Sequence, residues 1–478
     1  MSQAAEPEPD PRRWLALITC CSALFMTLLD VSVTNVALPS IGHATAASAS
    51  QLQWVVSGYT LAFGLVPVLA GRLGDDHGRR LLFQIGVGSF TATSMLAGLA
   101  PSAAVLIGAR VLQGLAGGLI NPQVSGLVQQ LFGSNERGRA FGVLGTTVGV
   151  GTALGPVVGG ALIALGGPHL GWRLVFFVNV PVGVAVIALA RRLLPADRRD
   201  GRHSLDVMGA ALLGAATFCV LFAAVQYDSA HDARLALLAI PAAVLVIVFF
   251  RRERRLTAAG EDPLVDLRLF RVPSYSAGVL FALAYFPAMA GLPLVLAIYY
   301  QDGLGYTALQ SGLGVTAYAL GSAIAAPLAG RVVTRLGRPL LLIGLAAFAV
   351  GAGGLAVLAG RGALVLSPAL FLMGAGAGTI ITPNQALTLM RVDPVAGSTA
   401  GGVLQTAQRI GLAIGQAVIG AVFFTAVGHG HYAHALRLGA AAALAFLLIA
   451  AAVSVADLVQ TRRRVEDPPT AEHSPPPG

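Results

Sequence analysis

Among the 31 basic residues of this 478-residue chain there is not one lysine. ATP-driven transport is thereby excluded, because the Gly-rich loop that cradles nucleotide phosphates needs its lysine, and no such loop occurs. Charge is scarce as well. Charged residues make up 11% of the chain, against about 25% in a soluble globular protein, too few to clothe a water-soluble surface of this size. The three cysteines, Cys20, Cys21 and Cys219, all fall in apolar stretches without metal-ligand spacing, so they read as small core residues and leave the redox compartment open. The run from Gly428 to His434 holds three histidines but no acid or thiol, and reads as a loop rather than a metal site. No cofactor is implied. A net charge of +9 would suggest nucleic acid as partner in a soluble chain. Here the arginines sit in short loops between apolar runs, which makes nucleic acid the wrong reading.

What the chain has in abundance is apolar length. Hydrophobic residues make up 55% of it and the mean hydropathy is +0.75. Stretches of about 20 apolar residues read as membrane spans. They fall near 14–38, 52–71, 81–100, 103–128, 140–165, 172–192, 206–226, 233–250, 272–299, 308–330, 339–359, 363–387, 398–426 and 433–457. The first run, from Arg12 and Arg13 to Pro39, is too long for a signal-peptide core and is expected to be a retained helix. The Pro- and acid-rich tails 1–11 and 461–478 are expected to be disordered. With the N-terminus cytoplasmic, 25 arginines fall in inside segments and four outside (Arg173, Arg234, Arg361 and Arg437), while Arg110 and Arg409 lie within spans. That bias alternates through fourteen spans and puts both termini in the cytoplasm. The implied location is a plasma membrane, of a bacterium, with membrane lipid around the spans.

A repeat runs through the chain at an offset of 259 residues. Tyr59, Leu69, Ala70, Gly71, Arg72, Gly78, Arg79 and Leu82 recur as Tyr318, Leu328, Ala329, Gly330, Arg331, Gly337, Arg338 and Leu341. The second span and its loop are therefore duplicated as the tenth. Parallel six-helix halves are one transporter architecture, with the substrate site between the repeats. The expected organisation is a first bundle over 12–195, an inserted helix pair with flanking loops over 196–258, and a second bundle over 259–460.

Several motifs fall on these spans. The loop Gly71-Arg-Leu-Gly-Asp-Asp-His-Gly-Arg-Arg80 joins spans two and three, with small residues for close helix approach and Asp75, Arg79 and Arg80 for pairing or helix capping. Span four carries Arg110-Val-Leu-Gln-Gly114, and span five carries Gly151-Thr-Ala-Leu-Gly-Pro-Val-Val-Gly-Gly160, a glycine face bent at Pro156. With Leu29-Asp-Val-Ser-Val-Thr-Asn-Val-Ala-Leu-Pro39 on span one, Trp172 to Gly183 and Pro263 to Phe270, these residues resemble the Major Facilitator Superfamily over nearly the whole chain. More narrowly they resemble its fourteen-span drug/proton antiporters. Asp76 departs from the pattern, standing where the family usually has a basic residue. The resemblance implies an all-α integral membrane protein of two six-helix bundles with two helices inserted between them. It also implies a conformational loop at Gly71, Asp75, Gly78, Arg79 and Arg80. At Gly151, Gly155, Pro156, Gly159 and Gly160 it implies an antiporter motif, which the family associates with export.

Function should sit at the charges inside the membrane. Of 22 acids, only Asp30 lies deep in a span. At about 1.5 Å per residue, Asp30 and Arg110 lie at similar depth and can form a pair or share a cavity. Asp30 is the expected proton-coupling residue. Asn35, Arg110, Gln113 and Arg409 are the expected transport-cavity residues. The reading is a secondary active transporter, not an enzyme: a proton-coupled exporter of amphipathic small molecules such as antibiotics or secondary metabolites, working by alternating access. Having a single acid in the cavity favours neutral or weakly charged substrates. The alternative is an importer or facilitator of a small metabolite on the same fold.

Overall fold

A computed structural model describes residues 11–196, 206–230, 237–427 and 431–466, and all regular structure among them is helical. The helices are α1 (Arg13–Thr45), α2 (Ala49–Leu65), α3 (Pro67–His77), α4 (Arg79–Leu99), α5 (Ala103–Leu131), α6 (Ser134–Phe177), α7 (Asn179–Leu193), α8 (Val207–Ala230) and α9 (Ala239–Ala259). A short 3₁₀ turn then leads to α10 (Pro273–Ile298), α11 (Ala308–Gly314), α12 (Thr316–Leu336), α13 (Arg338–Val357), α14 (Ala363–Leu389), α15 (Gly397–Val427) and α16 (Tyr432–Glu466).

Ten of the described helical segments are long and apolar enough to cross a membrane, and α2 with α3 makes an eleventh, bent by 47°. The bend has a local cause: Pro67 offers no backbone N–H to the preceding turn. The remaining expected spans, five, seven and eight, do not meet that measure. Over 157–167 and 207–223 the apolar helices are shorter, and α9 carries Arg251-Arg-Glu-Arg-Arg255. Expected spans five and six are joined in α6 across Gly167, whose φ of 66° and ψ of −169° only glycine adopts readily. The chain folds back there. A Cβ on Gly171 would lie 2.5 Å from the Ile163 carbonyl oxygen, eight residues earlier, where a straight helix would leave about 12 Å.

Two boundaries differ from expectation. Helix α1 continues past Pro39 to Thr45, and α16 runs to Glu466, so the start of the expected C-terminal tail is helical. The rest of that tail, the N-terminal residues 1–10, parts of the 196–258 segment and Gly428–Gly430 of the histidine run lie outside the described residues.

Packing places α1, α2, α4, α5 and α7 against one another, and α10, α13, α14 and α16 likewise. Helix α6 crosses to α12 and α14, while α3 and α5 lie against α15. Helix α8 packs on both α2 and α15, where Leu221 meets Leu61 and Ala413. The 259-residue repeat reaches further than the motif residues. Ser48 and Gln51 form a capping box at the start of α2, and Thr307 and Gln310, at the same offset, form one at the start of α11.

Candidate transport site

The deep charges converge in one cluster. Helix α1 brings Asp30 and α5 brings Arg110 and Gln113, which lie one turn apart and so share a face. Arg110 Nη1 donates to Asp30 Oδ2 at 2.5 Å and to Gln113 Oε1 at 2.7 Å. Asp30 Oδ1 accepts from Gln113 Nε2 at 3.0 Å and from Asn179 Nδ2, at the start of α7, at 2.8 Å. Asn179 also donates to Ser94 Oγ, and Arg110 Nε donates to the Val55 carbonyl. The guanidinium carbon lies 4.2 Å from the Tyr59 ring centre. Asp30 and Arg110 are each 1% exposed. A buried ion pair holds only where the remaining donors and acceptors are also satisfied, and here both Asp30 oxygens and the Arg110 Nε and Nη1 have partners.

A cavity of about 220 Å³ lies on the other side of α1, bounded by Ser32, Asn35, Tyr59, Phe63, Asn121 and Arg409. It sits between the helices of the first repeat and α15 of the second. Ligand pockets usually hold roughly 300–1,000 Å³, so a drug-sized molecule requires the two sides to separate. The Arg409 guanidinium stacks on Phe63, 4.4 Å from the ring centre.

At the arginine-rich face the repeats are latched together. Asp75 caps the start of α15: its carboxylate accepts from Ser398 N at 3.1 Å, Thr399 N at 2.8 Å and Thr399 Oγ1 at 2.8 Å. An acid suits a helix N-terminus, where free N–H groups and the helix dipole favour negative charge. Arg79 pairs with Asp75 at 2.7 Å and donates to the carbonyls of Gly126 (2.9 Å), Val395 (3.0 Å) and Pro394. Gly71 permits the approach, since a Cβ there would lie 2.4 Å from the Ser398 carbonyl oxygen. Gly78, at φ 113°, turns the chain between α3 and α4. Arg137 adds a second tie, donating to Phe132 O and Gln129 O on α5's end and to Met390 O across the gap.

The Major Facilitator Superfamily profile matches residues 20–416, and again 277–476. The chain belongs to the Major Facilitator Superfamily. It is similar to the probable actinorhodin transporter of Streptomyces coelicolor, 38% identical over 72% of this chain and 60% of that one. It is likewise similar to the tetracenomycin C resistance and export protein of Streptomyces glaucescens, 36% identical over 68% of this chain and 60% of the relative. The match thus spans about 60% of either relative's length. The human organic anion transporter shares the fold, with a TM-score of 0.68, 16% identity, and coverage of 94% of this chain and 100% of that one. The family is one of transporters, not enzymes.

In this member of the superfamily the expected site residues separate into groups. Asn35 and Arg409 line the cavity; Arg110 and Gln113, expected beside them, do not, because both are drawn into the Asp30 cluster. Arg80, expected in the conformational loop, donates to the Leu194 and Arg191 carbonyls at the end of α7 and so braces the first repeat. Asp76 pairs with Arg72 at 3.0 Å, leaving the Asp75 network intact. On α6, Gly151, Gly155 and Gly159 face α1, where Cβ atoms would meet Leu28, Ser32 and Val33. Gly160 does not: nothing lies within 4 Å of its Cβ position. Pro156 lies within this helix. Asn179 was not singled out as a site residue. Its only signal was its place in the Trp172–Gly183 motif, because a neutral amide at a helix junction carries no charge to notice.

Proposed function

We propose that this chain is a proton-coupled exporter of amphipathic small molecules, antibiotics or secondary metabolites among them, in a bacterial plasma membrane. The observation that carries the reading is the buried Asp30, held by Arg110, Gln113 and Asn179 directly behind the cavity-lining face of α1. A carboxylate is costly at membrane depth unless paired. Protonation would neutralise Asp30, loosen its hold on Arg110 and free α1 to move against α5 and α7. Substrate and proton would thus compete through one helix, as alternating access requires. The name of the Streptomyces glaucescens relative, a resistance and export protein, supports export rather than import, as does the close α1–α6 contact at Gly155 and Gly159.

The layout we propose is fourteen spans in two six-helix bundles, 12–195 and 259–460, with α8 and α9 crossing as an inserted pair and both termini cytoplasmic. The fold-back at Gly167 and the repeated capping boxes support it. The latch at the arginine-rich face would then close the cytoplasmic side, and breaking it would open the cavity inward. The partners are a small-molecule substrate, protons and lipid.

The test uses everted membrane vesicles energised to an acidic interior. Adding a transported substrate should release protons from the lumen while the substrate accumulates inside. Substrate accumulation that is indifferent to the pH gradient overturns the proton-coupled reading.

A further inference from the structure

The cavity has a charge imbalance that proton coupling does not use. Asp30, the only acid deep in a span, faces away from it and is occupied by three side chains. Among the described residues that line the cavity, Arg409 is the one charged side chain. It stands about 18 Å along α15 from the helix start at Gly397, near mid-membrane in the proposed layout. Among the described residues it makes neither an ion pair nor a hydrogen bond, and its recorded partner is the face of Phe63. Stacking occupies the flat face of a guanidinium and leaves its in-plane N–H donors free for a planar, two-oxygen acceptor. Two more polar atoms of the same cavity lack partners: the Tyr59 hydroxyl, on a residue only 3% exposed, and Asn121 Oδ1. Orphaned polar atoms in a buried site are costly until something binds them.

We propose that this cavity takes planar aromatic anions, whose carboxylate or acidic phenol oxygens pair with Arg409 while the ring system lies along Phe63 and Tyr59. The Tyr59 hydroxyl and Asn121 amide then serve the ligand's hydroxyl and carbonyl groups. Lipophilic cations, by contrast, meet an unpaired guanidinium. The inference rests on the exporter reading for the direction of flux, but not for binding. Exchange of one such anion outward for one proton inward carries two charges across in the same electrical sense. Export should therefore respond to membrane potential as well as to the pH gradient.

Purified full-length protein in lipid nanodiscs is titrated with three ring systems of equal size: 3-hydroxy-2-naphthoate, its methyl ester and N-methylquinolinium. The acid should bind about tenfold or more tighter than the ester, as a charge-assisted pair gives, and quinolinium least of all. Arg409→Gln should bring the acid-to-ester ratio close to one, and Arg409→Lys, which keeps the charge but loses the two-donor fork, should give an intermediate ratio. Tighter binding of the quinolinium or the ester by the wild type overturns the proposal without any variant, as does an acid preference that survives Arg409→Gln. Arg409-dependent acid binding without proton-linked transport would sink the exporter reading and leave this one standing. Proton-linked transport of quinolinium alone would do the reverse.

Discussion

At the scale of single residues, two contrasts carry the mechanism. Asn at position 30 resembles the protonated carboxyl, a form the proposed cycle visits, so Asp30→Asn should insert and accumulate normally. It should abolish export driven by a pH gradient, while Asp30→Glu keeps part of it. Proton release from energised vesicles on adding substrate checks this, and a wild-type rate in the Asn variant would make Asp30 structural. The second contrast lies on α6. A Cβ at Gly159 meets Val33 Cγ1 at 3.0 Å and its backbone at 3.4 Å, one turn from Asp30, whereas Gly160 faces open space. Gly159→Leu should insert but lose export, and Gly160→Leu should retain it; equal transport by the two would mean the glycine face is incidental. The Asp30–Arg110 meeting was legible in the sequence, because one deep acid faced only two deep arginines and Arg110 matched its depth. The orientation of Gly160 was not: adjacent helical residues point 100° apart, and nothing in the motif says which one faces the neighbour.

Helices and their junctions hold a different kind of information. Beyond the apolar part of α9, Glu253 is fully buried, accepts from Val265 N at 3.0 Å and sits beside Asp206, which Arg252 grips from the solvent side. Burial, aided by the Asp206 charge and opposed by the Val265 N–H and Arg252, pushes Glu253 up to about 7. Burial also pushes Asp206 upward, but the Arg252 contacts and the Gly209 N–H outweigh it and hold that carboxyl below its ordinary value. A raised carboxyl means the folded state keeps a proton the unfolded chain has lost. Its contribution is fully present below about 4.5 and disappears as pH rises through about 7. The Asp206 contribution has the opposite sign and is lost only on acidification below its ordinary range. Thermal unfolding should therefore begin lower at pH 8 than at pH 5, and Glu253→Gln should shrink that gap by roughly a degree or more. An unchanged gap would mean that another group titrates. No sequence signal marked this junction, since Arg251-Arg-Glu-Arg-Arg255 reads as a topology signal until the fold brings Asp206 to it. The capping boxes at Ser48 and Thr307 were in plain view but lie at the edges of the apolar runs, away from the motif residues that guided the repeat.

For the molecule as a whole, the open question of layout is the inserted pair. A reporter fused after Thr257 should read as cytoplasmic and one after Ser229 as external; a cytoplasmic signal at Ser229 would favour twelve spans. Helix class and the duplicated halves could be read from apolar length, arginine bias and the 259-residue offset, and the family from the resemblance of its motif residues. The latch could be read on one side only. Asp75 and Arg79 were visible as motif residues, but their partners across the gap are mostly main-chain atoms of residues 394–399, together with the Thr399 hydroxyl. The copy in the second repeat packs Gly330 against Gly138 and Gly142 of α6, but it repeats no charged cap: among the described residues Arg338 pairs with Asp457 at 2.5 Å on α16 of its own half. Inheritance of the closed state is therefore lopsided. The side chains of Pro394, Val395 and Ala396 stay at least partly exposed and can drift without cost to the latch, so these positions will leave almost no trace of variation coupled to Arg79. A lineage that loses Asp75 cannot be rescued by exchanging a charge opposite. Restoration has to come from reversion, or from substitutions elsewhere that reset the balance between the open and closed forms.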